Sequence, residues 1–77
     1  MNYYLIINKI NHKYYCGKSN NPQYSINSHI CRAFNPNSKR YNTELHIALR
    51  QEGIDNFSFY ICKFCPGWVE KLNKYTN

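Results

Sequence analysis

The sequence predicts a small α+β domain in which a three-stranded antiparallel sheet is flanked by helices, in the chain order β-β-α-α-β-α. Two strand-like runs stand close together near the start, two helical repeats of apolar residues follow them, and alternating aromatic residues come next. A chain of 77 residues has room for one small hydrophobic core. We therefore expect residues 1–77 to form a single domain.

The first two strands are predicted near residues 2–8 and 13–17. The first run is rich in Tyr, Leu and Ile, and the second contains Tyr and Cys and ends at Gly17. The polar link between the two runs is too short for a crossover connection. The strands are therefore expected to pair as an antiparallel hairpin.

The first helix is predicted near residues 22–34, with Asn21 as its N-cap and Pro22 at its first position. Apolar residues recur at helical spacing and predict its buried face. These residues are Ile26, Ile30, Ala33 and Phe34. An adjacent face of the helix carries Ser25, His29 and Arg32.

The second half of the chain predicts three further elements. A second helix is expected near residues 42–52, capped by Asn42 or Thr43 and ended by Gly53. Its buried stripe consists of Leu45, Ala48 and Leu49. Alternating apolar residues predict a third strand near residues 56–62. A last short helix is predicted from Trp68 to Tyr75, with Trp68 packed against the sheet. The alternative is an exposed Trp68 that anchors a binding partner.

The charge of the chain is unevenly distributed. Ten Lys and Arg residues outnumber four Asp and Glu residues, and no acidic residue precedes Glu44. Such a basic half predicts a polyanionic partner, with nucleic acid favoured over a membrane because no basic amphipathic helix accompanies it. The alternative is a solvated surface that keeps the protein soluble. The candidate phosphate-binding residues are Lys13, Lys18, Arg32, Lys39 and Arg40.

The sequence contains neither a membrane span nor a signal peptide. No apolar run approaches the ~18 residues that a span needs. We therefore expect a cytoplasmic protein. Its four cysteines include one C-x-x-C pair, Cys62 and Cys65, whereas a structural zinc site normally has two such pairs. Reduced thiols are expected, with zinc or disulfides as the alternatives.

Five segments follow one another in an order that is typical of a nuclease family. Two tripeptides come first, Asn2-Tyr3-Tyr4 and Tyr15-Cys16-Gly17, joined by a strand and a polar link. A helix with His29 follows, and then Leu45-His46-Ile47-Ala48-Leu49 and Gly53-Ile54-Asp55-Asn56-Phe57-Ser58-Phe59. Over about residues 2–64 the chain resembles the GIY-YIG endonucleases. The resemblance implies the fold predicted above.

The resemblance also assigns candidate catalytic positions. The tyrosines of the two motifs, thought in the family to position or deprotonate the attacking water, correspond to Tyr4 and Tyr15. The helix histidine corresponds to His29, and the phosphate-binding arginine is replaced by Ser25. Glu70 is the only acid near the place of the glutamate that holds a divalent cation in the family. We expect these five positions to be vestigial.

Two departures from the family pattern argue against cleavage. Ser25 offers no charge to a phosphate, and Arg32 lies seven residues further on, which is ~10 Å along a helix axis. Glu70 also comes earlier than the family's glutamate. We therefore expect no metal site and no cofactor, with Mg²⁺ held through Glu70 only if the protein is an active enzyme.

Three functions remain open. The first is a small basic GIY-YIG-like module without nuclease activity that binds DNA or RNA through its N-terminal half. The second is a phage or viral inhibitor that binds a protein of a host or competitor defence system, in the host cytoplasm. The third is an active, divalent-metal-dependent miniature endonuclease. The sequence does not predict the oligomeric state.

Overall fold

A computed structural model describes residues 2–75. The elements are β1 (Asn2–Asn8), β2 (Tyr14–Ser19), α1 (Pro22–Ala33), α2 (Glu44–Glu52), a 3₁₀ turn (Ile54–Asn56), β3 (Phe57–Cys62) and a 3₁₀ helix (Gly67–Lys71). The predicted α+β fold, with a three-stranded antiparallel sheet and two helices, is confirmed. Within the described residues, no helix is long and apolar enough to cross a membrane.

The first strand lies at the centre of the sheet, whose strand order is β2-β1-β3. Tyr4 lies opposite Gly17 of β2 and opposite Ile61 of β3. Because side chains alternate along a strand, Tyr4 and Ile6 face one side of the sheet, and Leu5 and Ile7 face the other. The two faces are covered by different parts of the chain.

Helices α1 and α2 cover the face that carries Tyr4. The buried residues on this side are Tyr4, Ile6, Ile26, Ala33, Leu45, Leu49, Phe57 and Tyr75. The predicted apolar stripes of both helices are therefore confirmed, with one exception. Phe34 is half exposed, because α1 ends at Ala33 and Phe34 is its C-cap. A residue beyond the helix no longer follows the helical periodicity of the stripe.

The predicted helix ends hold with one difference. Asn21 caps α1, since its side-chain oxygen accepts a hydrogen bond of 3.1 Å from the backbone N–H of Tyr24. Thr43 occupies the N-cap of α2 without capping it, and its hydroxyl instead donates to the carbonyl of Arg40 at 3.0 Å. Gly53 ends α2 with φ of 86°, a conformation that suits glycine.

The C-terminal segment covers the other face of the sheet, and here one prediction is wrong. In place of a helix over residues 68–75, a 3₁₀ helix ends at Lys71 and an extended segment follows. That segment binds the edge of β2, with Asn73 accepting from the backbone N–H of Tyr14 at 2.9 Å. Val69 is buried against Leu5 and Ile7, whereas Trp68, the predicted anchor, is half exposed.

All four cysteines are free thiols. The Sγ atoms of Cys16 and Cys65 lie 3.3 Å apart, and burial is the first cause that raises the pKa of the Cys16 thiol to about 11, followed by the neighbouring Cys65. Cys62 packs at the end of β3 beside the core that contains Val69.

Candidate functional site

Tyr4 is placed by the glycine that lies opposite it. A Cβ atom on Gly17 would lie 2.2 Å from Cζ of Tyr4, so the tyrosine ring fits only because that atom is missing. The ring therefore lies flat across β2, and its hydroxyl reaches α1. This single contact explains why a glycine is needed at the end of the second motif.

Hydrogen bonds link three side chains in a row, from Tyr4 to the loop between α1 and α2. The hydroxyl of Tyr4 lies 3.0 Å from Nε2 of His29, and Nδ1 of His29 lies 2.9 Å from Nε2 of His46. Nδ1 of His46 lies 2.6 Å from the carbonyl oxygen of Arg40. All three side chains are buried. We refer to Tyr4, His29 and His46 as the buried relay.

The carbonyl oxygen of Arg40, at the end of the buried relay, determines which atoms in the relay donate and which accept. A carbonyl only accepts, so Nδ1 of His46 carries a proton and donates to Arg40. In a neutral ring the other nitrogen is then bare, and Nε2 of His46 accepts from Nδ1–H of His29. By the same reasoning, Nε2 of His29 accepts from the hydroxyl of Tyr4. Every polar atom of the buried relay has a partner.

Burial keeps the buried relay uncharged at neutral pH. Desolvation, followed by the nearby His46, lowers the pKa of His29 to about 4. Desolvation also lowers the pKa of His46, against an opposing hydrogen bond to Arg40. The pKa of Tyr4 is raised, first by burial and then by the neighbouring Tyr15. Tyr4 therefore holds its proton under ordinary conditions.

Tyr15 completes the cluster that the resemblance predicts. It lies opposite Ile6 and so faces the same side of the sheet as Tyr4. Its ring centre lies 5.0 Å from that of His29 and 6.0 Å from that of Tyr4. The structure thus brings three of the candidate catalytic residues together. It adds His46, which sequence reasoning missed, although a histidine inside the apolar stripe of α2 signals a buried polar partner.

The remaining two candidate catalytic residues, Ser25 and Glu70, are not part of the buried relay. Ser25 binds Ser19 through a hydroxyl–hydroxyl hydrogen bond of 2.8 Å. Glu70 is exposed and follows Val69, which packs against the face of the sheet opposite Tyr4. Among residues 2–75, no three His, Cys, Asp or Glu side chains are grouped so that they could hold a metal ion.

Two of the predicted basic residues lie beside the buried relay. Arg32 follows His29 by three positions, so the two residues are neighbours on the surface of α1. The backbone of Arg40 is bound by His46. Both arginine side chains are exposed, and the charges of both contribute to the lowered pKa of His29 and of His46. Lys39 is exposed next to Arg40.

The other two predicted basic residues lie elsewhere. Nζ of Lys13 forms an ion pair of 2.7 Å with Glu44, which neutralises its charge. Lys18 lies opposite Tyr3, on the face of the sheet away from Tyr4, and its Nζ lies 5.7 Å from the centre of the Tyr3 ring. The five residues therefore do not form one continuous surface.

The sequence and the fold agree with one known family. A family model described as the GIY-YIG catalytic domain matches residues 1–74. The chain belongs to the GIY-YIG family. This membership makes it a nuclease-like domain with a function related to nucleic acid. No curated protein and no solved structure gave a significant match.

Proposed function

We propose that this GIY-YIG domain binds nucleic acid without cleaving it, through a basic surface that consists of Arg32, Lys39 and Arg40. One observation carries the proposal. Arg32 and Arg40 lie exposed beside the uncharged buried relay, and neither forms an ion pair with an acidic side chain among residues 2–75. Their charges remain available to phosphate groups, in a family whose members act on nucleic acid.

Three features of the site oppose cleavage. Ser25 carries no charge for the scissile phosphate, and loss of such a charged contact commonly slows phosphoryl transfer by ~10²–10⁵-fold. The pKa of Tyr4 is raised, so its hydroxyl stays protonated at neutral pH and is not available as a general base. Among residues 2–75, no three His, Cys, Asp or Glu side chains are grouped so that they could hold a metal ion.

Binding is tested by fluorescence anisotropy with labelled duplex DNA, single-stranded DNA and RNA. We expect affinity for at least one of these to fall steeply between about 50 and 200 mM salt. Arg32→Glu and Arg40→Glu should each weaken binding. Lys71→Glu is the matched control, because it makes the same charge change on the 3₁₀ helix at the other face of the sheet. Equal losses for all three variants would contradict the proposed surface.

Cleavage is tested with supercoiled plasmid in the presence of Mg²⁺ or Mn²⁺. We expect no nicking above the level of a buffer control. Nicking that persists through repurification and is abolished in Tyr4→Phe would show that the protein is an active endonuclease. In that case the proposed absence of cleavage is wrong. Binding through the arginines is still tested by the anisotropy measurements on Arg32→Glu and Arg40→Glu.

A second candidate function rests on exposed aromatic residues. Phe64 is 81% exposed and Trp68 53% exposed, close in sequence to the exposed Tyr60 and Ile61. Exposed Trp, Tyr and Phe side chains are common anchors of protein interfaces. The partner of that function is a protein of a defence system, and its binding should change little with salt. Trp68→Ala that abolishes capture of a protein, while Arg40→Glu does not, would favour this function.

A further inference from the structure

Arg40 lies in a loop that α2 holds tightly. This loop, residues 34–43, joins α1 to α2. Its backbone is bound by three side chains, one from the end of the loop and two from α2. Thr43 and His46 both donate to the carbonyl of Arg40, at 3.0 and 2.6 Å. Arg50 donates to the carbonyl of Tyr41 and stacks on its ring, with Cζ 3.5 Å from the ring centre.

Arg50 also connects this loop to α1. It donates to the carbonyl of Ala33, the last residue of α1, at 2.9 Å. The backbone of Arg40 is therefore fixed relative to the helix that carries Arg32, although both side chains are exposed. Because the backbone is already ordered, only the rotamer freedom of the Arg40 side chain remains to be lost when it binds a ligand.

The two arginines approach the same two rings from different elements. Arg32 lies three residues beyond His29 on α1, and Arg40 is bonded to His46. The imidazoles are in direct contact at 2.9 Å, are buried and are neutral, so they neither repel the arginines strongly nor neutralise them. The charges of Arg32 and Arg40 both act on His29 and on His46, so an anion at the protein surface outside these buried rings lies near two positive charges.

We propose that Arg32 and Arg40 together bind a single phosphate group of the nucleic acid, and that His46 is the positioning residue that holds Arg40 in this site. The inference rests on the proposed function and deepens it. Under this inference, Arg32 on α1 and Arg40 in the loop take over the phosphate-binding role of the arginine that the family has at the position of Ser25. A phosphate seated there lies away from Ser25.

The salt dependence of binding tests whether Arg32 and Arg40 bind the same phosphate group. Each phosphate that is neutralised contributes ~0.9 to the slope of log affinity against log salt for duplex DNA, and ~0.7 for a single strand. Arg32→Ala and Arg40→Ala should each weaken binding, and the double variant should lower the slope by about one unit. Arg40→Ala combined with Lys18→Ala is the matched control, because Lys18 lies on the opposite face. A drop of about two units in the Arg32–Arg40 double variant would overturn the shared site.

A double-mutant cycle tests the role of His46. His46→Leu removes the hydrogen bond to Arg40 with a side chain of similar bulk, and we expect it to weaken binding about as much as Arg40→Ala does. In the Arg40→Ala background the same change should have no further effect on affinity. Equal effects of His46→Leu in both backgrounds would overturn the positioning role, because a general loss of structure acts whether or not Arg40 is present.

The state of the ring is measured without any ligand. ¹⁵N NMR of the wild-type protein should show His46 protonated on Nδ1 and bare on Nε2 at neutral pH, as its bond to Arg40 requires. The opposite tautomer would overturn the positioning role even if His46→Leu fails to fold. Wild-type protein that binds no nucleic acid contradicts the proposed function, whereas binding that is unchanged by Arg32→Ala and Arg40→Ala contradicts only the arginine site.

Discussion

At the scale of single residues, the position of Tyr4 depends on Gly17 and His29. Gly17 leaves the space in which the tyrosine ring lies, and His29 accepts the proton of its hydroxyl. His46 then fixes which nitrogen of His29 is bare. Each of these three residues can be changed alone, so their contributions can be separated.

Gly17→Ala should displace the ring of Tyr4, because the new methyl group would overlap its Cζ atom. We expect a loss of about 1–3 kcal/mol in the free energy of unfolding, measured by urea denaturation. Gly67→Ala is the matched control, since a Cβ atom there meets nothing within 4 Å. Similar losses in the two variants would contradict the close packing of Tyr4 on Gly17.

The buried relay should make stability depend on pH. The pKa of His29 is about 4 in the folded protein, below the ordinary value of 6.5, so between these values the unfolded chain binds a proton that the folded chain does not. The free energy of unfolding should therefore decrease as pH falls from 6.5 to 4, by about 3 kcal/mol from His29 if the shift is fully realised.

Urea denaturation at several pH values checks this dependence. His29→Gln should flatten the profile between pH 6.5 and 4, because the variant has no group at this position that titrates. His12→Asn is the control: His12 is exposed with φ of 62°, a conformation that asparagine adopts readily. A profile that stays equally steep in His29→Gln would rule out His29 as its source.

Sequence reasoning found part of the site and missed part of it for identifiable reasons. The resemblance predicted Tyr4, Tyr15 and His29, which do lie together. His46 was missed because periodicity shows which positions of a helix are buried and does not show what a buried polar side chain binds. The face of Lys18 depends on strand register, and a shift of one residue reverses every side chain.

At the scale of elements, Arg50 contributes most of the side-chain contacts that hold the connection between α1 and α2. Arg50 binds two carbonyl groups and stacks on Tyr41. Arg50→Lys keeps the charge but loses the planar group that makes these contacts. We expect it to lower the free energy of unfolding by about 1–2 kcal/mol and to speed hydrogen exchange in residues 34–43.

Arg32→Lys is the matched control for this prediction, because the side chain of Arg32 is exposed and lies outside the loop. It should leave stability within about 0.5 kcal/mol of wild type. Unchanged exchange rates in Arg50→Lys would show that the loop is held without the guanidinium.

The elements themselves were largely predictable. Capping residues and apolar periodicity gave both helices, and alternation gave the strands, because these signals are local. The final segment was predicted to be helical over residues 68–75, but it forms a 3₁₀ helix that ends at Lys71 and is extended beyond that residue. Its conformation depends on the edge of β2, where Tyr14 both donates to Asn73 and accepts from Tyr75. Hydrogen bonds to a distant strand leave no periodic signal in the segment that makes them.

At the scale of the whole molecule, Tyr75 joins the two ends of the described chain. Its hydroxyl accepts a hydrogen bond of 2.9 Å from Nδ2 of Asn8, a residue that is fully buried. Tyr75→Phe should therefore leave a buried donor without this partner. We expect a loss of about 1–3 kcal/mol in the free energy of unfolding.

Chemical denaturation of Tyr75→Phe measures this loss, and Tyr60→Phe serves as the control because Tyr60 is half exposed on β3. No difference between Tyr75→Phe and Tyr60→Phe would show that the bond to Asn8 contributes little.

The central position of β1 has a consequence for how the protein is made. Of the three strands, β1 is translated first, and it is the strand that is paired along both edges. Its partner β3 is complete only at Cys62. Until β3 is translated, the apolar run Leu5-Ile6-Ile7 lacks one of its two neighbouring strands. It also lacks the C-terminal segment that covers one face of the sheet. A nascent chain that ends before β3 should therefore be protease-sensitive and prone to bind chaperones, and protection should arise only after translation of β3.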